Sequence, residues 1–211
     1  MKKSVAILIL GFMMALPVMA SSTLIGFSYG SCTTNTSQDV SLKTIGVDVT
    51  YVGGETFGVY AEVLPFYAVG AHHPVLGSLH VTGKYFGVGS IIGVGGDLNF
   101  GSMGLILGGG VYSGYNHIIP PADASSQASL SRIDLGFGGS AKLYYSVNSR
   151  FAFNLGLTYA FSPWLYGFGA EVIPGVLKNV NASSFTISAG IGWRTGGRSS
   201  NSDADSSGDE W

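Results

Sequence analysis

The chain has 211 residues, which is enough for one domain with short appendages. Charged residues make up only 10% of it, against roughly 25% in a typical soluble domain, while mean hydropathy is +0.36 and glycine occurs 33 times. So few charges cannot coat a soluble protein, and a net charge of −2 argues against a general nucleic-acid binder.

The first twenty residues have the pattern of a secretory signal. In "MKKSVAILILGFMMALPVMA", Lys2 and Lys3 precede an apolar run that ends in Pro17 and a small residue, Ala20. This pattern predicts cleavage after Ala20; the alternative is an uncleaved N-terminal membrane helix. Cleavage would leave 8 basic and 12 acidic residues and a charge of −4. Cys32 is the one cysteine, so no intramolecular disulfide can form.

Beyond the signal, the recurring pattern is alternation of large apolar with small or polar residues. In "FAFNLGLTYAF", every second residue is large and apolar, which is the period of a β-strand with two unlike faces. Ser90 and Ile91 interrupt the alternation, which indicates a β-bulge or an error in the register of this segment, and Ile106 falls on the small-residue parity. Eight segments are predicted as strands: 23–31, 41–52, 57–67, 83–94, 103–115, 131–147, 151–161 and 184–194.

The connections between these segments alternate in length. Those after the second, fourth and sixth segments are short: "GGET", "GGDLNFGS" and "NSR". The other four are longer, from "CTTNTSQDV" to "SPWLYGFGAEVIPGVLKNVNAS". Short turns at one end and long loops at the other are typical of an outer-membrane barrel, with the turns in the periplasm and the loops outside the cell.

The composition of the two faces indicates which one meets lipid. The small parity is rich in Gly, Ser, Thr and Asn, which suits the narrow interior of an eight-stranded barrel and leaves space there. The apolar parity then faces the bilayer. The sequence therefore predicts an all-β protein, an eight-stranded antiparallel up-and-down transmembrane β-barrel, in the cell outer membrane. Residues 1–20 are the predicted signal peptide, 21–194 the barrel, and 195–211 a disordered acidic periplasmic tail.

Aromatic residues on the apolar parity cluster near the segment ends, which predicts two interfacial girdles. The girdle at the short-turn end comprises Tyr51, Phe57, Tyr145, Phe151 and Trp193. The girdle at the long-loop end comprises Tyr29, Phe86, Tyr115, Phe161 and Phe185.

Five charged residues fall on the inward parity and predict an interior charge network: Asp48, Glu62, Asp134, Lys142 and Arg194. Isolated charges in a narrow barrel would be costly, so we expect them to pair. Lys142 is the central cation, with Glu62 as its first expected partner and Asp134 as the second. Arg194 ends a strand and is expected at a mouth of the barrel.

The chain resembles the small eight-stranded outer-membrane barrels, a group that includes the OmpA transmembrane domain, OmpX and OmpW. The alternation, the loop asymmetry and the aromatic ends carry the resemblance over about 21–194. It implies outer-membrane lipid and the barrel-assembly machinery as partners. The near-terminal "SAGIGWR" contains the glycine and the aromatic residue of the group's final strand, although here the chain continues.

No catalytic, cofactor-binding or metal site is predicted. "GVGSIIG" matches a dinucleotide-binding pattern but lies within a strand pattern with no helix after it. His72, His73, His80 and His117 lie in or near predicted loops, and with Asp123 they leave open a less favoured enzyme at the barrel rim.

Two functions follow from this sequence. The favoured one is a non-enzymatic structural or adhesin-like protein whose long, nearly uncharged loops meet an extracellular ligand. The alternative is a small channel or a conduit for a small hydrophobic solute, which the space expected inside a glycine-rich barrel supports and the OmpW-like resemblance implies.

Overall fold

The computed structural model describes residues 20–35, 41–54, 57–73, 77–79, 84–119, 130–148, 150–169, 172–176 and 180–194. Ten strands form in these ranges: β1 (Ala20–Asn35), β2 (Ser41–Gly53), β3 (Phe57–His73), β4 (Gly77–Leu79), β5 (Lys84–Phe100), β6 (Met103–Ile119), β7 (Leu130–Ser146), β8 (Phe151–Gly169), β9 (Val172–Val176) and β10 (Asn181–Arg194). The described part of the chain contains no helix long and apolar enough to cross a membrane.

Eight long strands close into an antiparallel barrel. The order is β1, β2, β3, β5, β6, β7, β8, β10, and β10 returns to pair with β1 from Ser22↔Arg194 to Asn35↔Asn181. The short strands β4 and β9 pair only with β3 and β8 and lengthen the hairpins at one end. Because closure leaves no unpaired edge, the backbone hydrogen bonds of the wall are satisfied in lipid. The predicted fold class is confirmed.

Three tight turns join strands at one end of the barrel, which we call the short-turn end. Gly54 and Gly101 have φ of +99° and +85°, values that favour glycine, and they lie in the first two turns. In the third turn, the Asn148 Oδ1 accepts hydrogen bonds from the amides of Arg150 and Phe151. The connections at the other end, the long-loop end, include residues outside the described ranges.

The expected bulge at Ser90 and Ile91 is wrong. β5 pairs with β3 and β6 without a register shift, so its alternation continues through both residues. Ile91 points inward and is fully buried, and Ser90 points outward, where its hydroxyl lies 2.8 Å from the Ser113 hydroxyl. β5 also continues to Phe100, so most of the expected connection "GGDLNFGS" is strand.

A real irregularity lies in β8. Leu135 pairs with Trp164 and Phe137 with Phe161, so β8 carries one extra residue at Ser162–Pro163. Proline has no amide hydrogen to give to a ladder and is tolerated at bulges. The bulge exchanges the two faces, because the buried residues are even-numbered up to Ser162 and include Leu165 and Gly167 beyond it.

The apolar parity faces outward. In the stretch "FAFNLGLTYAF", all six large residues are exposed and all five small or polar ones are buried. On the other long strands, large apolar side chains also form an exposed belt around the barrel, although some large residues, such as Tyr60 and Ile91, point inward. This exterior suits the hydrocarbon region of a bilayer.

Candidate functional site

The interior of the barrel is filled by tyrosine rings that lie against glycines. Tyr60 is fully buried, and a Cβ built on Gly108 would lie 2.1 Å from its Cδ2. Tyr144 covers Gly104 in the same way, because a Cβ built on Gly104 would lie 2.2 Å from the Tyr144 Cζ. The expectation that glycines leave open space inside is therefore wrong at these positions, because the missing side chain makes room for a ring from another strand.

An ion cluster, the central cluster, crosses the middle of the barrel. The Lys142 Nζ on β7 binds Asp48 on β2 and lies 2.8 Å from the Glu62 Oε1 on β3. In the closed order of eight strands, β2 and β7 are four steps apart in either direction, so they face each other across the lumen. The cluster is a bridge through the lumen and not a pair along one wall.

Hydroxyl groups complete the central cluster. Glu62 accepts hydrogen bonds from the Tyr60 hydroxyl at 2.8 Å and the Thr158 hydroxyl at 2.7 Å. Asp48 accepts one from Thr50 at 3.0 Å. The central cluster contains two carboxylates and one ammonium group. The hydroxyl donors stabilise the negative charge that the single cation does not balance. A buried ionic group is tolerated when its partners are satisfied in this way.

A second cluster, the outer cluster, lies nearer the long-loop end. The Arg132 guanidinium donates two hydrogen bonds to Asp134, from Nε to Oδ1 at 2.6 Å and from Nη2 to Oδ2 at 2.8 Å. Its Nη1 donates to the Thr34 hydroxyl on β1 at 2.9 Å. Asn116 donates to Asp134 at 2.8 Å and accepts from Tyr85 at 3.0 Å. This cluster also bridges the lumen, since β1 and β7 are three steps apart.

A third cluster closes the short-turn end. Asp97 on β5 accepts hydrogen bonds from the Ser22 hydroxyl on β1 at 2.7 Å and from the Tyr144 hydroxyl on β7 at 2.6 Å. Between the clusters lie buried apolar side chains that include Ile91, Ile106 and Tyr112. A cavity of about 30 Å³, lined in part by Thr44 and Tyr112, has room for about one water molecule.

The structure divides the five charges expected to form one network. Asp48, Glu62 and Lys142 meet in the central cluster, whereas Asp134 lies apart from them and binds Arg132. The backbone of Arg194 pairs with Ser22 at the end of the barrel, and its side chain lies outside the described residues. The alternative pairing of Lys142 with Asp134 is wrong, because the Arg132 fork occupies both oxygens of that carboxylate.

Sequence reasoning missed two interior charges. Arg132 lies two residues before Asp134, on the same inward parity, so the alternation contained the signal for it. The predicted fourth strand ends at residue 94, which places Asp97 in a turn. Asp97 lies on the same inward face of β5 as Ile91, so its position follows from the alternation only when Ile91 is taken as an inward residue.

Nine of the ten aromatics expected in the girdles are exposed on the outside of the barrel. Tyr51 is the exception, because it is buried against Ala61 and only 7% exposed. At the short-turn end, Phe151 and Trp193 are paired across β8 and β10 with ring centroids 5.8 Å apart. Phe161 does not end its strand, since β8 runs on to Gly169 and places Trp164 and Tyr166 nearer that end.

The histidines considered for a rim enzyme are not assembled in the described residues. The His117 Nδ1 lies 2.8 Å from the Ser131 hydroxyl, and its ring is stacked with Tyr115 and tilted against Phe86. The side chains of His72 and His73, together with His80 and Asp123, lie outside the described part. No group of three or more potential metal ligands occurs among the side chains that the structure describes.

Comparison with known proteins identifies the fold and no family. The chain is similar to the outer-membrane protein OprG from Pseudomonas aeruginosa, with a TM-score of 0.53 and 15% identity over 84% of this chain and 97% of that one. It is also similar to Neisserial surface protein A, NspA, with a TM-score of 0.52 and 13% identity over 82% and 97%. No protein-family model and no curated protein sequence matches the chain.

Both similar structures are small outer-membrane barrels, so the fold resemblance expected from the sequence is confirmed. The closed wall and the apolar belt agree with the outer-membrane localisation expected from the sequence.

Proposed function

We propose that this protein is a sealed, non-enzymatic outer-membrane barrel that acts through the connections at its long-loop end, in a structural or surface-interaction role. The observation that carries the proposal is the set of three bridges across the lumen. Lys142, Arg132 and Asp97 each join strands that are not neighbours in the wall, at three levels of the barrel.

The seal has a steric part and an ionic part. Tyrosine rings occupy the space above several interior glycines, and the charged groups pair with one another or accept hydrogen bonds from hydroxyl groups. A conduit through the lumen would need these bridges to separate, which would leave buried charges without partners. A barrel closed in this way presents its long connections on a rigid support, which suits recognition at a surface.

Planar bilayer recording tests the proposal. Purified full-length protein should show no steady single-channel conductance, because bridges close the lumen at three levels. Steady conductance of the unmodified protein would contradict the sealed barrel and favour the channel or solute conduit instead.

Exposure of the loops is tested separately. A peptide tag inserted near Ser126 should be accessible to antibody on intact cells, and a tag after Arg198 should not. The reverse labelling pattern would reject the proposed orientation, whatever the conductance.

A further inference from the structure

A groove lies on the lipid-facing surface of β1, β2, β3 and β5. Its volume is about 700 Å³, and it is lined by apolar side chains that include Phe27, Ile45, Tyr67 and Phe86. The pairs between β2 and β3 pass from Gly46↔Phe66 to Val49↔Val63, and Pro65, which lines the groove, lies between them. Proline cannot donate a hydrogen bond to the ladder, so the pairing of β2 with β3 is interrupted beneath the groove.

Two exposed lysines stand at the end of this groove nearest the long loops. Lys43 is two residues before Ile45 on β2, and Lys84 is two residues before Phe86 on β5. All four side chains point outward. β2 and β5 flank β3, so the two lysine backbones are separated by two strand spacings, about 10 Å.

The stem of Lys43 leans toward the strand between the two lysines. Its Cβ and Cδ lie 3.9 Å from the position that a Cβ on Gly70 would occupy, so the side chain runs beside β3. On the far side of Lys84, the rings of Phe86, His117 and Tyr115 pack together and give the rim an aromatic wall. Aromatic rings and lysine stems of this kind sit at the headgroup level of a bilayer.

No carboxylate offsets these two lysines on the described outer surface. The four described acidic side chains, Asp48, Glu62, Asp97 and Asp134, are all buried inside the barrel. Among the described residues, the outer rim above the groove therefore carries positive charge next to the apolar belt. An apolar groove that ends in two lysines is complementary to an amphiphile with an acyl chain and an anionic headgroup.

We propose that this surface binds a phosphorylated lipid of the leaflet at the long-loop end. An acyl chain lies in the groove over Pro65, and the headgroup phosphate lies between the ammonium groups of Lys43 and Lys84. The site is on the outside of the wall and is independent of the sealed interior and of the role of the loops.

The test uses the folded full-length chain in neutral detergent, titrated with bisphosphorylated lipid A and observed by native mass spectrometry. Lys43→Gln combined with Lys84→Gln should weaken lipid binding about 25-fold, from roughly fivefold for each lysine near an anionic surface. Arg150→Gln removes an exposed cation at the short-turn end and is the matched control, which should bind as the unmodified protein does. Equal affinity of the double variant and the control would overturn the proposal.

A groove variant separates a lipid site from simple attraction of phosphate. Val47→Trp fills the groove without changing charge and should also weaken binding of lipid A, while excess inorganic phosphate should displace little of it. Unchanged binding by Val47→Trp, or full displacement by inorganic phosphate, would show phosphate adsorption without a lipid site. A heat-modifiable gel shift in each variant establishes that the barrel has folded.

Discussion

The inside and the outside of this barrel wall use opposite means of stabilisation. Inside, side chains reach across the lumen and each fits a specific partner, as Lys142 does with Asp48 and Glu62. Outside, the belt of large apolar residues has one shared requirement, which is contact with hydrocarbon. The free energy of unfolding should therefore fall when one interior partner is removed. On the exterior it should fall only when an apolar residue is replaced by a polar or charged one.

The largest loss of stability is expected from a change at Lys142. Its side chain is 1% exposed, and that of its partner Glu62 is 0% exposed. Lys142→Ala leaves two buried carboxylates without a cation and should lower the free energy of unfolding by about 3–5 kcal/mol. Reversible unfolding in lipid vesicles measures it.

A double-mutant cycle on Glu62 and Lys142 then isolates the pair. The two residues should be coupled, because removing Glu62 also removes one of the groups that Lys142 binds. Strictly additive effects would mean that the central cluster does not hold these two residues together.

A swap of faces at neighbouring residues tests the division directly. Leu155 is exposed in the apolar belt of β8, and Leu155→Arg should cost up to about 2–4 kcal/mol, the depth-dependent penalty for a cation in the hydrocarbon region. That cost should fall in thinner bilayers. Asn154→Arg places the same side chain inside, so its cost should not depend on bilayer thickness. If Leu155→Arg left the free energy of unfolding unchanged, the assignment of the apolar face to lipid would be wrong.

Two glycines on adjacent strands form a matched pair for the packing of the interior. Gly108→Ala drives a methyl group into the Tyr60 ring and should cost about 1–3 kcal/mol by overpacking. Gly139→Ala is the control, because the nearest atom to its added Cβ, the Gly108 carbonyl oxygen, is 3.5 Å away. Unfolding in vesicles should separate the two variants, and equal costs would mean that Tyr60 does not fill the lumen at Gly108.

The smallest effect is expected in the outer cluster, where the Arg132 side chain is 14% exposed. Arg132→Gln should cost about 1–2 kcal/mol, less than Lys142→Ala, because the guanidinium is partly exposed and Asn116 still donates to the buried Asp134. Its cost should shrink with added salt more than that of Lys142→Ala. A loss as large and as insensitive to salt as the one at Lys142 would place both clusters in the same dry interior.

Which residues face each other across the barrel could not be predicted from the sequence. Lys142 and Asp48 are 94 positions apart, and their meeting depends on strand order and closure, which alternation does not encode. The division of the charges into separate clusters, including the pairing of Asp134 with Arg132, has the same origin. Strand ends were also misjudged where inward residues were large, as with Ile91, since a large residue on the small parity looks like an interruption.

The sequence by itself determined the two faces, the antiparallel barrel and the unequal ends, because side-chain direction in a strand has a period of two and connection length limits which strands can be neighbours. Only the tertiary structure decided what fills the lumen and where the wall is indented. Tyr60 against Gly108 and the groove at Pro65 each depend on atoms from strands other than their own, and those distances exist only once the barrel has closed.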